Sequence, residues 1–230
     1  MGRVTAQEIA QPARYVFTDD RDVMRMRLNL GMTGFGKSTL LKHQLEEIQK
    51  IKKRIILVDP ARDDHNFKGF GREIHHPREL AAVLGPGNAT EFQLRVYDPG
   101  KTQEERMRFF SFVCWEALKT GDCFLVVDEI HTYCQSKGGT HMEPEQFDQV
   151  ATIGRHRKVR FLGTCQRPTQ IHNNLLKLCQ EVNVFRTEDL DGGLKKKLRG
   201  DANQDLALGL ERLQFLSCKN GEITLCEVPK

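Results

Sequence analysis

Short apolar runs alternate along the chain with segments whose apolar residues follow a helical period. The runs predict strands at 24–30, 55–58, 92–97, 123–127, 160–164 and 182–185. Helices are predicted between them, at 37–50, 77–84, 102–121 and 145–153. Strands that alternate with helices indicate an α/β fold: a right-handed, doubly wound, mostly parallel sheet with helices on both faces.

Two local signals refine this pattern. Thr102 and Glu105 have the spacing of a capping box, which predicts the start of a helix. Asn220-Gly221 suits a type I′ turn between the apolar segments 213–218 and 223–228. We therefore expect a C-terminal antiparallel β-hairpin at one margin of the sheet.

Two other stretches lack a regular period. Segment 61–76 is charged and contains glycine, which predicts an exposed loop. Residues 1–23 are polar, and we expect them to form an N-terminal arm or cap. Residues 24–230 are then expected to form a single domain, long enough to bury a substantial core.

The composition indicates the cellular compartment more clearly than it indicates the function. No apolar run approaches the roughly 20 residues that cross a bilayer, and the N-terminus lacks the apolar core of a secretory signal. Seven cysteines, an odd number without a C-x-x-C pair, indicate a reducing compartment and no structural zinc. The net charge of +4 is too small to establish nucleic-acid binding. Local basic clusters occur at 50–54, 155–160 and 195–199.

A glycine-punctuated loop between the first predicted strand and helix carries the strongest chemical signal. Residues 31–38 read GMTGFGKS and fit the Walker A pattern G-x-x-x-x-G-K-[ST] at every position. Glycines let backbone N–H groups turn toward phosphate oxygens, and the helix N-terminus adds positive charge. The predicted nucleotide-binding residues are Gly31, Thr33, Gly34, Gly36, Lys37, Ser38 and Thr39. A chance glycine-rich turn is the alternative, but the flanking strand and helix favour a P-loop for ATP.

Three further candidates follow predicted strands, and ligands of open parallel sheets collect at the carboxyl ends of strands. Asp128 suits a Walker B carboxylate that holds Mg²⁺ together with Ser38, and Glu129 suits a general base for the attacking water. Gln166 is placed to contact the γ-phosphate or its water. A helix cap or solvated turn is the alternative for the two acids, and an ordinary loop position is the alternative for Gln166.

Arg155 lies in a basic segment and admits two interpretations. It could stabilise transition-state charge if it reaches the nucleotide of a neighbouring subunit. The segment 154–158 could equally be a solvated basic turn.

These segments together resemble the HerA–FtsK superfamily of DNA-pumping ATPases. The resemblance spans 24–190 and rests on the P-loop, the strand that ends at Asp128-Glu129, residues 154–156, and the TCQRP run at 164–168. It implies a RecA-like P-loop NTPase fold with ATP and Mg²⁺ as ligands. By position, it implies nucleotide-binding Lys37, Mg²⁺-associated Ser38 and Asp128, catalytic Glu129, trans-acting Arg155 and sensor Gln166; Asp59 matches a position that is often acidic.

The resemblance also implies partners. Cellular members usually carry extra domains, and none is recognised in this sequence. The resemblance is therefore strongest to the genome-packaging ATPases of tailless, internal-membrane viruses. Double-stranded DNA, a homo-oligomeric ring (a hexamer) and a virion portal or membrane-associated docking protein are the implied partners. The implied location is the host cytoplasm or the virion. Segment 136–141 is then either a pore loop or a disordered connector, and Lys195–Lys197 with Arg199 are DNA contacts or a solvated helix face.

Other P-loop functions stay open at this point. A cellular or plasmid ATPase for DNA transfer or partition would carry the same residues. A small-molecule kinase would use the same loop, but it would need a lid with arginines rather than an acid pair placed for water attack. A slowly hydrolysing docking subunit is a third function, and the intact acid pair counts against it.

Overall fold

A ten-stranded sheet forms the centre of the protein. The computed structural model describes residues 11–18, 25–52, 54–85, 91–137, 140–142, 144–171, 173–190 and 192–229. The strands are β1 (Ala13–Arg14), β2 (Met26–Leu30), β3 (Arg54–Val58), β4 (Arg72–Ile74), β5 (Phe92–Val96), β6 (Phe124–Val127), β7 (Gln135–Lys137), β8 (Thr140–Met142), β9 (Arg160–Cys165), β10 (Glu181–Phe185), β11 (Gln214–Lys219) and β12 (Glu222–Glu227). β7 and β8 pair with each other in a separate antiparallel ribbon.

Seven neighbouring strands form a parallel block. Across the sheet the order is β1-β12-β11-β10-β2-β9-β6-β3-β5-β4. Each adjacent pair from β10 to β4 is parallel, whereas β11 is antiparallel to both β10 and β12. The predicted α/β fold, with its mostly parallel sheet and C-terminal hairpin at one margin, is confirmed.

Helices cover both faces of the sheet. They are α1 (Lys37–Ile51), α2 (Asp64–Phe67), α3 (Pro77–Leu84), α4 (Gln103–Thr120), α5 (Glu145–Ile153), α6 (Asn173–Leu178), α7 (Gly192–Leu198) and α8 (Asp201–Gly209). Successive strand residues point to opposite faces. Ile55 and Leu57 of β3 therefore pack with Leu45 of α1, while Ile56 and Val58 join the core on the other face. Among the described helices, none has the length and hydropathy of a membrane-spanning segment.

Both local turn predictions are confirmed. The Thr102 hydroxyl accepts a hydrogen bond from the Glu105 N–H at 3.2 Å, and the Glu105 carboxylate accepts one from the Thr102 N–H at 3.0 Å. This capping box opens α4. Asn220 and Gly221, between β11 and β12, have φ angles of 50° and 86°, as a type I′ turn requires.

Segment 61–76 is largely exposed, as predicted, but the prediction that it is a loop is wrong. The segment forms α2 and the strand β4, which pairs parallel with β5 at the sheet edge. Phe67 and Ile74 are buried, and the Asp63 side chain caps α2 by accepting two backbone N–H groups. An edge strand and a surface helix each keep one side in water, so most of their residues are charged or polar. Only Phe67 and Ile74 reach the core, and two apolar residues are too few to give a periodic pattern.

Residues 11–18 lie at the other margin of the sheet. β1 pairs parallel with β12, and the buried Tyr15 donates its hydroxyl proton to the Glu181 carboxylate at 2.7 Å. Arg27 forms a buried ion pair with the same carboxylate at 3.2 Å. These contacts fasten the segment beside the hairpin. The predicted division at residue 23 falls outside the described residues and stays a prediction.

Candidate functional site

Three predicted site segments meet at the carboxyl edge of the parallel block. β2, β9 and β6 are neighbours in the sheet, so the residues that follow them lie side by side. The N–H of Gly31, directly after β2, donates to the Cys165 carbonyl of β9 at 3.2 Å. The sheet order therefore brings the glycine loop, the acid pair and Gln166 to one edge.

The glycine loop has the backbone that a phosphate cradle needs. Gly31, Gly34 and Gly36 have φ angles of 132°, 86° and 110°, a region that favours glycine. A Cβ on Gly31 would lie 2.8 Å from the Arg186 carbonyl oxygen. The Met32 N–H donates to that carbonyl at 2.8 Å. The loop is thus fastened to the strands on either side of β2, and Gly36 leads directly into α1.

Lys37 lies inside this loop. Its side chain is 5% exposed, and Nζ donates to the carbonyl of Met32, a residue of the loop itself, at 2.9 Å. Burial lowers the pKa of Lys37, although Glu129, Cys165 and Asp128 oppose that effect. A buried ammonium whose acceptor is a loop carbonyl is suited to phosphate oxygens, which would replace a neutral acceptor with a charged one.

The hydroxyl residues of the loop occupy different positions. Ser38 is half-buried in the first turn of α1, and Thr39 beside it is exposed. Thr33, in the exposed part of the loop, donates its hydroxyl proton to Gln166 Oε1 at 2.9 Å. The glycine loop is therefore in direct contact with the residue that follows β9.

Asp128 follows β6 and is 4% exposed. Its N–H donates to the Val58 carbonyl at 3.0 Å, and its Oδ1 accepts the Thr164 hydroxyl proton at 2.6 Å. Burial raises the pKa of Asp128 to about 6, and the neighbouring charges of Glu129 and other acids add to this effect. A buried carboxylate among acids is a donor set that fits a cation such as Mg²⁺.

Glu129 has its backbone in the left-handed region, with φ 52° and ψ 54°. Its N–H donates to the Thr164 hydroxyl at 2.9 Å. Oε1 accepts from Gln166 Nε2 at 2.6 Å, and Oε2 lies 3.0 Å from His131 Nδ1. Burial raises the pKa of Glu129, but the contacts with His131 and Gln166 outweigh it and hold the pKa below its ordinary value. The side chain is therefore ionised and held in one place.

Arg155 does not join this group. It is exposed in a 3₁₀ turn, Gly154–Arg157, that precedes β9, and its Nε lies 3.2 Å from His156 Nε2. The six residues of β9 place that turn about 20 Å from the glycine loop. Arg155 therefore lies at the amino edge of the sheet and does not reach the glycine loop of its own chain.

Two residues for which the sequence predicts no role contact the acid pair. Thr164 contacts both acids, and His131 contacts Glu129. Asp59, by contrast, lies in a structural contact: it is fully buried and pairs with Arg95 at 2.7 Å. Thr164 and His131 lie close in sequence to candidate residues, and this was the available signal for both. Their contacts with the acids depend on how β6 and β9 align.

Solved structures share this fold at low sequence identity. The genome packaging NTPase B204 from Sulfolobus turreted icosahedral virus 2, in complex with ATP-gammaS, has a TM-score of 0.69 and 16% identity over 90% of this chain and 98% of its own. VirB4 of Thermoanaerobacter pseudethanolicus has a TM-score of 0.61 and 13% identity over 89% of each chain. The pCW3 conjugation coupling protein TcpA has a TM-score of 0.54 and 15% identity over 90% of this chain and 61% of its own.

No protein-family model matches the chain, and no curated protein matches it in sequence. At identities of 13–16% the structural likeness establishes the fold alone. The predicted RecA-like P-loop NTPase fold is confirmed, and so is the predicted resemblance to genome-packaging ATPases, at the level of fold.

Proposed function

We propose that this chain is an ATPase that moves double-stranded DNA as one subunit of a ring, in the manner of a viral genome-packaging motor. One observation carries the proposal: a hydrogen-bonded path from Thr33 through Gln166 to Glu129, next to the buried Lys37. A nucleotide in the loop would act on this path, and the path ends on the residue suited to activate water. The likeness to a genome packaging NTPase supports the biological setting.

The binding half of the site consists of the loop and the acid after β6. The N–H groups of 31–38 and the Lys37 ammonium would hold the β- and γ-phosphates of ATP. Ser38 and Asp128 would hold Mg²⁺, which when bound would offset phosphate charge. The buried position of Asp128 among other acids supports this assignment, because a cation would relieve their repulsion.

The chemical half of the site is Glu129. Its carboxylate would accept a proton from water as the water oxygen attacks the γ-phosphorus and the bond to the β-phosphate oxygen breaks. A pKa held below the ordinary value keeps the base ionised at neutral pH. Gln166 would report loss of the γ-phosphate, since it contacts both the loop and the base.

Several parts of the proposal concern the assembled ring. Arg155 would act on the nucleotide of the adjacent subunit, because its own loop is out of reach. Segment 136–141 would grip DNA phosphates: it spans the β7–β8 ribbon, and residues 138 and 139 lie outside the described part of the chain. The proposed location is the host cytoplasm or the virion, with docking to a portal or membrane-associated protein.

DNA-stimulated hydrolysis tests the proposal. We expect ATPase activity to rise when duplex DNA is added, and the mass in solution to increase with nucleotide. Phosphate transfer to a small acceptor, without stimulation by DNA, would instead indicate a kinase. A DNA-transfer ATPase would also be stimulated by duplex DNA, and the likeness to VirB4 and TcpA supports that alternative.

Lys37→Ala tests the phosphate assignment. Removal of the ammonium should abolish nucleotide binding or turnover, measured by equilibrium binding of ATPγS and by phosphate release. Lys42→Ala is the matched control, because Lys42 is an exposed lysine of the same helix. Full activity in Lys37→Ala would contradict the assignment.

A further inference from the structure

A group of buried polar side chains lies under α1, the helix that carries Lys37. We call this group the buried polar network. Its members are Tyr15, Arg27, Asn29, Gln44, Glu181 and Asn183, each no more than 6% exposed. Apolar side chains would cover a sheet at lower cost, because buried polar and charged groups must all find hydrogen-bond partners. The proposed reaction at the glycine loop uses none of these six residues.

The register of two neighbouring strands creates this network. In β2, Arg27 and Asn29 alternate with apolar residues, so both side chains point to one face of the sheet. β10 runs parallel to β2 and pairs Glu181 with Arg27 and Asn183 with Asn29. Asn29 contacts α1. The two strands therefore turn four polar side chains toward the helix of the glycine loop.

Gln44 is the residue of α1 that enters the network. Its side chain is fully buried. Oε1 accepts a hydrogen bond from Asn29 Nδ2 at 2.7 Å, and Nε2 donates one to the Tyr15 hydroxyl at 3.0 Å. Lys37 precedes Gln44 by seven residues, which is about two helical turns, so both lie on the same side of α1. The two bonds of Gln44 thus hold the helix that carries Lys37 in a fixed position on the sheet.

Tyr15 joins the N-terminal segment 11–18 to Gln44. Its hydroxyl accepts from Gln44 and donates to Glu181 Oε1 at 2.7 Å. Burial, together with the Glu181 charge, raises the pKa of Tyr15 well above its ordinary value, so the hydroxyl keeps its proton. The segment is also held at Thr18, whose hydroxyl accepts from Lys219 Nζ at 2.7 Å. One hydroxyl group therefore connects the docked segment to the helix of the glycine loop.

An apolar cluster links the same parts of the molecule. The Tyr15 ring packs with Leu40 of α1 and Phe215 of β11, and Phe35 of the glycine loop packs against this cluster. The Phe35 carbonyl accepts the Leu213 N–H at 3.0 Å. The N-terminal segment, the start of β11 and the glycine loop are thus in mutual contact, and a displacement of Tyr15 would affect the loop from two sides.

We propose that Tyr15 and Gln44 are positioning residues through which the N-terminal segment 11–18 controls the affinity of the glycine loop for a nucleoside triphosphate. While the segment is docked, Gln44 holds α1 and Lys37 within the roughly 0.5 Å that a preorganised binding site requires. Release of the segment removes the acceptor of Gln44 Nε2 and lets the helix shift. Coupling is reciprocal, so a bound nucleotide stabilises the docked segment by the same factor. This inference rests on the proposed nucleotide site and adds a regulatory element to it.

Tyr15→Phe tests the proposal, because it keeps the ring and removes the hydroxyl. The Kd of ATPγS with Mg²⁺, measured by equilibrium binding, should rise about 5–10-fold. The KM for ATP should rise with it while kcat stays within about twofold, since the lost interaction contributes equally to ground state and transition state. A role in stability alone would lower Tm and leave the Kd unchanged.

Tyr97→Phe is the matched control. Tyr97 is 4% exposed and also donates its hydroxyl proton to a glutamate, Glu73, at 2.8 Å. It follows β5, which lies four strand spacings, or about 19 Å, from β2. This variant should leave the Kd of ATPγS unchanged.

Gln44→Leu identifies the route of the effect. It removes the amide from α1 and should raise the Kd at least as much as Tyr15→Phe. If the two residues act through their shared hydrogen bond, the double variant should bind ATPγS no more weakly than Gln44→Leu alone. Effects that multiply in the double variant would contradict a route through this bond.

Hydrogen exchange on the wild-type chain gives a test that needs no substitution. ATPγS should slow amide exchange in residues 13–18 about 5–10-fold. An unchanged Kd in Tyr15→Phe, or exchange in 13–18 that does not respond to bound ATPγS, overturns the proposal.

The outcomes also separate this inference from the proposed function. ATPγS binding that depends on Tyr15, in a chain whose ATPase activity does not respond to DNA, supports the positioning role and contradicts only the DNA motor. DNA-stimulated hydrolysis with a Kd that does not depend on Tyr15 contradicts only the positioning role. A wild-type chain that binds no ATPγS overturns both.

Discussion

Thr164 donates a hydrogen bond to the Asp128 carboxylate at 2.6 Å and accepts one from the Glu129 N–H at 2.9 Å. A hydroxyl can do both at once, because it is donor and acceptor together. The side chain is 1% exposed, so water does not offer a substitute. The proposed metal ligand and the proposed base, which directly follow β6, are thus aligned by a residue of the neighbouring strand β9.

Thr164→Val tests this alignment, since valine keeps the shape and removes the hydroxyl. The Asp128 carboxylate and the Glu129 N–H would each lose a hydrogen-bond partner, which costs about 1–3 kcal/mol of stability per group. We expect a lower free energy of unfolding in urea and a kcat for ATP about 10–100-fold lower, with nucleotide affinity nearly unchanged. Thr164→Ser should restore most of both quantities.

Thr152→Val provides the comparison for that substitution. The Thr152 hydroxyl donates to the Asp148 carbonyl at an exposed helix position, so its loss should change stability by no more than about 0.5 kcal/mol. A wild-type kcat in Thr164→Val would contradict the alignment role.

The carboxyl of Asp128 gives a pH prediction. Burial raises its pKa to about 6, whereas an aspartate in the unfolded chain titrates near ~3.9. The folded chain therefore holds this proton more tightly, and the resulting stabilisation is present below about pH 4 and lost as pH rises through about 6. The pKa of Glu129 is shifted down, so its stabilising contribution is lost only as pH falls below about 4.

Asp128→Asn should remove this dependence in the nucleotide-free protein. Between pH 4 and pH 7 the wild type should lose up to about 3 kcal/mol of unfolding free energy relative to the variant. Urea denaturation at several pH values measures it. A difference between the two proteins that stays constant with pH would contradict the raised pKa.

At the scale of elements, burial on both faces explains what could be predicted. Strands such as β3, β6 and β9 read as continuous apolar runs because both faces are covered, and their predicted bounds agree with the structure to within about two residues. The glycine loop and the acid pair were recognisable because each is a contiguous pattern in the sequence. The Thr164 contacts were not, because they depend on the alignment of β6 with β9.

The missed elements α2 and β4 depend on an equally non-local contact. Arg95 of β5 is buried and donates to Asp59 Oδ2 through Nε and Nη2 at 3.0 and 2.7 Å. Its Nη1 donates to the Phe67 carbonyl at 3.2 Å. Asp59 in turn accepts the Asp63 N–H. An acid and an arginine 36 residues apart thus hold α2 in place, and no local pattern announces this pairing.

Arg95→Met should therefore destabilise this part of the fold. It leaves the Asp59 carboxylate buried without its cation, which costs about 3–5 kcal/mol. Urea denaturation measures the loss, and hydrogen exchange should show weaker protection in α2 and β4 than in β2. Glu73→Gln is the control: its carboxylate is half-exposed and 3.8 Å from Arg95, so its loss should cost about 0–1 kcal/mol. Equal effects of the two changes would contradict a buried pairing.

At the scale of the whole molecule, the two edges of the sheet differ in charge. The carboxyl edge presents Asp128 and Glu129 beside the glycine loop, and the amino edge presents the exposed basic side chains of Arg155, Arg157 and Lys158. An edge that would hold ATP and an edge rich in cations are complementary. Contact between unlike surfaces of identical chains generates rings when the rotation closes. Arg155 would therefore contribute to ATP hydrolysis only at the glycine loop of a second copy of the chain.

Mixing two inactive variants tests this relation. Lys37→Ala removes the ammonium of the glycine loop, and Arg155→Ala removes the arginine of the opposite edge. In an equal mixture, about a quarter of the boundaries would join an intact loop to an intact arginine, so about a quarter of the wild-type ATPase rate should return if boundaries act independently. Mixing Lys37→Ala with Glu129→Gln should restore nothing, because both lesions affect the same loop-side half of the site. If no ratio of the first pair restores hydrolysis, Arg155 does not act across a boundary.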